Sequence, residues 1–141
     1  MRVSVIVDTG PLVAYLNRRD FHHEWAVAQF KRLPPPLRTC EAVLLEAMFL
    51  LQDDVGDGSP VLDLLVNGIV LIDFRLPDDA AVVLSLVRKY RDVPMSLTDA
   101  CLVRMSELHT DCRVLTTDSD FLVYRRHGRG VIPVCMPGRD S

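Results

Sequence analysis

Short apolar runs rich in β-branched residues are spread along the chain and separated by segments of helical character. The clear strand candidates are Val3–Val7, Ile69–Phe74, Arg113–Thr116 and Val131–Val134, and Leu37–Cys40 is a possible further strand. These runs are nearly continuous in apolar residues rather than alternating, which indicates strands buried on both faces and therefore a parallel sheet. Because helices alternate with the strands, the sequence predicts a doubly wound α/β domain.

Six segments between these strands have the periodicity or the capping signals of helices. They are Pro11–Asn17, Asp20–Leu33, Ala42–Gln52, Pro60–Asn67, Asp78–Tyr90 and Ser96–His109. The Pro and Gly clusters at 34–36 and 56–60 are short enough to be loops within one domain. We therefore expect residues 1–141 to form a single domain, which is an ordinary domain length.

Composition excludes several classes of protein. No apolar stretch approaches the ~18 residues of a membrane-spanning helix, and the N-terminus lacks the features of a signal peptide. We therefore expect a cytoplasmic protein that does not enter the membrane. The four cysteines, at positions 40, 101, 112 and 135, form no C-x-x-C pair and are predicted to be reduced thiols in the core.

Several acidic residues stand out by their position in the sequence. Asp8 directly follows the first strand, Glu46 is the only charge within Ala42–Leu51, Asp99 lies at the start of a helix, and Asp118 and Asp120 follow the fourth strand. Simpler roles exist for most of these acids, since Asp8 could cap a helix, Asp99 could complete a capping box and Asp118 could form a turn. Glu46 is the hardest to explain, because an unpaired carboxylate in an apolar helix is costly to desolvate. Glu41 competes for its role, but an acid is expected at a helix start.

The acids together indicate a metal site. Side chains that follow neighbouring parallel strands meet at one edge of the sheet. Several carboxylates gathered there would repel one another, and oxygen-only sites of this kind select magnesium or manganese. Such a cation suits phosphodiester hydrolysis, because it activates a water molecule and neutralises charge on the phosphate. The hydroxyl groups of Thr9, Thr116 and Thr117 could orient the carboxylates or the surrounding waters.

Four segments together resemble the PIN-domain ribonucleases, and in particular the VapC-type toxins of bacterial type II toxin–antitoxin pairs. They are VIVDTGPLVAYLNRRDFHH, AVLLEAMFLL, VPMSLTDACLVRMSE and VLTTDSDF. The resemblance implies a PIN-like, mainly parallel five-stranded sheet of order 3-2-1-4-5, with Val3–Val7 central and helices on both faces. It also implies a Mg²⁺- or Mn²⁺-dependent endoribonuclease that hydrolyses RNA by means of a metal-activated water. By this resemblance the catalytic, metal-binding acids are Asp8, Glu46, Asp99 and Asp118, with Asp120 as a further or alternative ligand.

The same resemblance implies partners. A cognate antitoxin is expected to place an arginine near Asp8 and Asp99, and to lay a helix on the apolar surface of 12–30 and Ala42–Leu51. A homodimer is also expected. Candidate RNA contacts are Arg125, Arg126 and Arg129, the arginines nearest in sequence to the Asp118 loop, although a solvated surface is the simpler explanation for them.

Two other functions remain open from the sequence. One is a PIN-like binding module whose acids only hold the fold. The other is a phosphotransfer α/β domain, since such domains also place an aspartate after the first strand. Phosphatases of that kind need a second aspartate two residues later, where this chain has Gly10.

Overall fold

The computed structural model describes residues 3–140, so residues 1, 2 and 141 of the predicted domain lie outside it. Its main sheet contains β1 (Ser4–Val7), β2 (Leu37–Thr39), β3 (Val70–Ile72), β4 (Cys112–Leu115), β7 (Val134–Met136) and β8 (Arg139–Asp140). The order across the sheet is β3-β2-β1-β4-β7-β8, and all neighbours are parallel except β7 and β8. The predicted five-stranded parallel order, with the first strand central, is confirmed, and one antiparallel edge strand is added to it.

The last parallel strand lies further along the chain than the predicted Val131–Val134. Val131 instead belongs to a small antiparallel hairpin, formed by β5 (Arg125–Arg126) and β6 (Gly130–Val131). Pro133 explains the shift, because proline has no N–H to donate to a sheet ladder. Its carbonyl accepts a hydrogen bond from Val114, at 2.9 Å, and the strand begins at the next residue.

Six α-helices pack around the sheet. They are α1 (Thr9–Leu16), α2 (His23–Arg32), α3 (Glu41–Val55), α4 (Pro60–Val66), α5 (Leu76–Lys89) and α6 (Leu97–Leu108). The chain moves outward from β1 in both directions. With the right-handed crossovers that parallel strands favour, this order places helices on both faces of the sheet. Within residues 3–140, no helix is both long and apolar enough to cross a membrane.

The α1 and α5 helices begin two residues before the predicted Pro11 and Asp78, at Thr9 and Leu76. Two further helix boundaries differ from the predicted ones for local reasons. The α2 helix begins at His23 rather than Asp20, because the Asp20 carboxylate accepts the backbone N–H of His22 in a turn. The α3 helix continues past Gln52 to Val55. It ends where Gly56 adopts a left-handed conformation with φ of 92°, which glycine allows at no steric cost.

The core lies on both sides of β1 and β4. Ile6 and Val7 are fully buried, as are Val114 and Leu115 of the neighbouring strand. The register pairs Val7 with Leu115, so both strands end at the same edge of the sheet. The four cysteines are buried thiols, as predicted.

Candidate active site

Asp8 leaves the end of β1 and caps the start of α1. One carboxylate oxygen, Oδ1, accepts the backbone N–H of Thr9 at 2.7 Å, and the other, Oδ2, accepts the hydroxyl of Thr116 at 2.6 Å. Thr116 in turn accepts the backbone N–H of Asp118, at 2.9 Å. The capping role and a place in the acidic site are therefore not alternatives, because the same carboxylate does both.

Glu46 projects from the middle of α3 toward the same edge of the sheet. Its Oε1 accepts the hydroxyl of Thr9 at 3.3 Å, and its Oε2 accepts the hydroxyl of Thr98 at 2.5 Å. The carboxylate is thus held between the first turns of α1 and α6, which explains how a charge is accommodated on this largely apolar helix. Glu41, the competing acid, lies exposed in the first turn of α3.

Asp99, Asp118 and Asp120 form a compact acidic cluster. Each contributes a carboxylate oxygen, and these oxygens all lie within 4.8 Å of one another. Ser96 caps α6 by accepting the backbone N–H of Asp99 at 3.0 Å, so the Asp99 carboxylate is not needed as a cap and faces the cluster. Asp118 accepts the backbone N–H of Asp120 at 2.9 Å, so these two acids form a turn as well as part of the cluster. Both face Asp99, and the geometry does not select one of them as the last ligand.

The acids are close enough for the charge of one to raise the pKa of another. Burial raises the pKa of Asp8 to about 7, and the charges of Asp99 and Asp118 add to the effect. The pKa of Asp99 is also raised, first by burial and then by the charges of Asp118 and Glu46. No ion pair between residues of the described chain, 3–140, includes any of these acids.

This donor set fits a hard divalent cation. The ligands are carboxylate oxygens, which magnesium and manganese prefer. The compact cluster contains neither histidine nor cysteine. A cation between the carboxylates would favour their charged forms, and so offset the burial and the mutual repulsion that raise the pKa of Asp8 and Asp99.

Comparison with known families agrees with this geometry. A sequence profile of the PIN domain matches residues 5–126. The chain belongs to the PIN-domain family. Among solved structures, the fold resembles the crystal structure of Mycobacterium tuberculosis VapC20, described there as a toxin that cleaves the sarcin–ricin loop. The TM-score is 0.72 at 21% sequence identity, over 83% of this chain and 92% of that one. No curated protein matches the chain.

Two residues of this PIN domain support the acids without having been predicted from the sequence. Thr98 binds Glu46, and Tyr124 donates its hydroxyl to Oδ2 of Asp99 at 2.9 Å. Thr98 directly precedes Asp99, so its position next to a predicted acid could have marked it as a residue of the site. Tyr124 lies 25 residues further on than Asp99, and nothing in the sequence connects the two.

The Tyr124 side chain is fixed by packing as well as by its hydrogen bond. It is fully buried. Its ring meets those of Tyr90 and Phe121 edge to face, with centroids 5.2 and 5.3 Å apart. Burial and the adjacent Asp99 carboxylate raise its pKa, so the phenol stays protonated and donates. Tyr124 therefore holds the Asp99 carboxylate in one orientation.

We expect Tyr124→Phe to fold normally and to weaken the site. The substitution keeps the ring but removes one hydrogen bond, which costs about 1 kcal/mol of unfolding free energy. The Asp99 carboxylate then loses its orienting donor, which lowers the affinity of the site for Mn²⁺ by roughly 10-fold or more. Calorimetric titration of Mn²⁺ measures this, with Tyr15→Phe as the matched control on another tyrosine. Equal affinity in the two variants would contradict the orienting role.

Thr117 differs from the other predicted threonines. In the described residues its hydroxyl makes no hydrogen bond to an acid of the site; it lies against Gly10 in the first turn of α1. A Cβ at position 10 would lie 2.1 Å from the Thr117 hydroxyl oxygen. A side chain at position 10 would therefore require the Thr117 hydroxyl group to move.

The arginines nearest the Asp118 loop have structural partners. Arg125 donates to the carbonyls of Leu122, Val123 and Tyr124. Arg126 donates to the Ser106 carbonyl at 2.9 Å, near the end of α6. Ser106 is seven residues beyond Asp99, which is about 10 Å along a helix. Of the three predicted RNA contacts, only Arg129 is exposed.

Proposed function

We propose that this PIN domain is a metal-dependent endoribonuclease and the toxin of a toxin–antitoxin pair, acting on RNA in the cytoplasm. The observation that carries the proposal is the convergence of Asp8, Glu46, Asp99, Asp118 and Asp120 at one edge of a parallel sheet, with no ion pair to balance them among residues 3–140. Family membership and the description of VapC20 as an RNA-cleaving toxin support the same reaction.

In this proposal Asp8, Glu46, Asp99 and Asp118 hold a Mg²⁺ or Mn²⁺ ion, and Asp120 is an additional ligand. When bound, the cation lowers the pKa of a water molecule and neutralises charge that develops on the scissile phosphate. The protein supplies a fixed set of oxygens. A fixed set stabilises the transition state more than a flexible set does, because no reorganisation is needed during the reaction.

The supporting hydroxyls fix the orientation of each carboxylate. Thr116 holds Asp8, and Thr9 and Thr98 hold Glu46 from two different helices. Tyr124 holds Asp99. Both oxygens of Asp8 and of Glu46 accept a hydrogen bond. Because a carboxylate oxygen has two lone pairs, each of them keeps one that could bind a cation.

The nuclease proposal is tested by mapping RNA ends in cells that express the wild-type chain or Asp99→Asn. We expect new ends at a restricted set of positions for the wild type only. The matched control is Asp53→Asn, which makes the same change at an exposed position of α3 and is expected to cleave like the wild type. Identical RNA ends in the wild type and in Asp99→Asn would contradict the proposal.

We expect the arginines after the Asp118 loop to separate into two classes. Arg126→Ala removes a charged donor from a partly buried carbonyl and lowers the unfolding free energy by about 1–3 kcal/mol. Arg129→Ala is expected to leave stability unchanged and to reduce the salt dependence of RNA binding. Urea denaturation and a binding series across salt concentrations measure the two effects. If the salt dependence of RNA binding is the same in Arg129→Ala as in the wild type, Arg129 does not contact the RNA.

The proposed antitoxin site is narrower than the surface predicted from the sequence. Leu12 is fully buried, and the rings of Tyr15 and Phe30 stack on each other. Apart from Phe21, which is 93% exposed in the turn before α2, the most exposed large apolar side chains of that predicted surface lie on α3, where Leu45 is 71% and Phe49 70% exposed. A surface cavity of about 450 Å³ lies between them and includes Glu46 in its wall. We place the apolar part of the antitoxin there, with its arginine reaching Asp8 and Asp99.

The partner proposals are tested by light scattering after size exclusion, with the toxin alone and with the product of the adjacent gene. We expect a homodimer alone and a larger complex with the antitoxin, accompanied by loss of cleavage. Leu45→Glu should weaken the complex with the antitoxin. A monomer that stays active in excess antitoxin would contradict both partner proposals and leave the nuclease proposal standing.

A further inference from the structure

Two of the four cysteines lie against each other at the junction of α3 and α6. Cys40 is the residue that caps α3, and Cys101 lies in the second turn of α6. The two side chains are neighbours in the wall of one cavity, although the residues are 61 positions apart in the chain. Cys112 and Cys135 have different neighbours, since their sulfur atoms contact the Ser106 carbonyl and the Gln29 side chain.

A surface cavity gives small molecules access to this pair. The cavity has a volume of about 550 Å³, and both cysteines contribute to its wall. Each cysteine is only 2% exposed, so a folded partner protein would not reach the sulfur atoms. Exposed residues at the rim, among them Glu41, Arg75 and Leu97, show that the cavity opens to solvent.

We propose that Cys40 and Cys101 are an oxidation site at which a peroxide forms a disulfide between α3 and α6. One sulfur attacks a peroxide oxygen to give a sulfenic acid and water. The second sulfur then displaces hydroxide from the sulfenic acid, forming the S–S bond and a second water. In total the two thiols lose two electrons and two protons, and one hydrogen peroxide is reduced to two waters. Thiols such as glutathione reverse the change by exchange.

The disulfide would act on the acidic site through the helices that it joins. Cys101 lies two residues after Asp99, and α3 carries Glu46. A disulfide bond of about 2.05 Å is shorter than any contact between separate thiols, so we expect its formation to draw the start of α6 toward α3. This shifts Asp99 relative to Asp118 and Asp120. We therefore expect oxidation to lower RNA cleavage several-fold and reduction to restore it, a consequence that rests on the proposed nuclease function.

The test begins with the purified full-length chain, treated with hydrogen peroxide, blocked with N-ethylmaleimide and analysed by mass spectrometry without reduction. We expect one crosslinked peptide pair that contains Cys40 and Cys101, while Cys112 and Cys135 carry the blocking group. The peptide map of the wild-type chain shows which two cysteines are joined, and this result does not require any variant to fold. As matched variants, Cys101→Ser should lose the crosslink and Cys112→Ser should keep it.

Sulfinic acids without a crosslink, or a crosslink that includes Cys112 or Cys135 instead, would overturn the proposal. The mass readout does not depend on cleavage. A disulfide in a chain that never cleaves RNA therefore refutes only the nuclease function, and cleavage by a chain that forms no disulfide refutes only the oxidation site. If the disulfide forms and cleavage does not change, the link between oxidation and the acidic site is overturned.

Discussion

Replacing Asp8 by asparagine is expected to reduce RNA cleavage at least about 100-fold, because the loss of a ligand costs more than the loss of its supporting contacts. Asparagine fits the same space and can still accept the backbone N–H of Thr9, so the substitution removes charge without removing the helix cap. Cleavage of a defined RNA by purified protein measures the effect. Asp53→Asn is again the control, and full activity in Asp8→Asn would exclude Asp8 from the reaction.

The same variant should be more stable than the wild type when no cation is present. The pKa of Asp8 is about 7 in the folded chain, against an ordinary value of 3.8, so the folded state binds more protons than the unfolded state between these values. The free energy of unfolding of the wild type therefore falls as pH rises from about 4 to 7. The asparagine of the variant has no proton to lose and avoids this cost, which is on the order of 1–3 kcal/mol above pH 7.

Urea denaturation in a chelator, at pH 5 and at pH 8, measures this stability difference. We expect the advantage of Asp8→Asn over the wild type to be small at pH 5 and larger at pH 8. An advantage that stays constant, or that shrinks as pH rises, would show that Asp8 is not desolvated in the cation-free chain.

Removal of divalent cations is expected to abolish cleavage, and Mn²⁺ is expected to restore it. Because the cation binds only the folded chain, a concentration 100 times its dissociation constant adds about 2.7 kcal/mol to stability. For a chain of this size the melting temperature should rise by roughly 5–10 °C. The double variant Asp99→Asn/Asp118→Asn should show neither the activity nor the rise. An equal rise in this variant would mean that Mn²⁺ binds elsewhere.

The architecture could be predicted because the information lies in short stretches of sequence. Continuous apolar runs such as Val3–Val7 indicate strands buried on both faces, and the structure confirms a parallel sheet with this strand at its centre. The predicted position of the last parallel strand is wrong because Ile132 is buried like a strand residue, although Pro133 prevents it from joining the ladder. An apolar run in the sequence predicts that its residues are buried, but it does not predict which of them pair with a neighbouring strand.

The candidate site was only partly predictable. The acids could be found because Glu46 is an unusual charge in an apolar helix, and because Asp8 and Asp118 follow parallel strands whose ends meet at one edge of the sheet. Tyr124 could not be found, because a buried tyrosine is normal in a core and its partner is remote in sequence. Arg125 and Arg126 were candidate RNA contacts on proximity in sequence alone. The carbonyls that their guanidinium groups bind are visible only once the chain is folded.

The hydrogen bonds that hold the acids join the two ends of the domain. The bond between Thr116 and Asp8 spans 108 residues, and that between Thr98 and Glu46 spans 52. Until Asp118 and Asp120 have emerged from the ribosome, the growing chain therefore holds only part of the set of acids. The centre is assembled after Tyr124 has emerged from the exit tunnel and β4 has paired with β1. Synthesis of the chain thus includes a delay during which the newly made protein lacks a complete site.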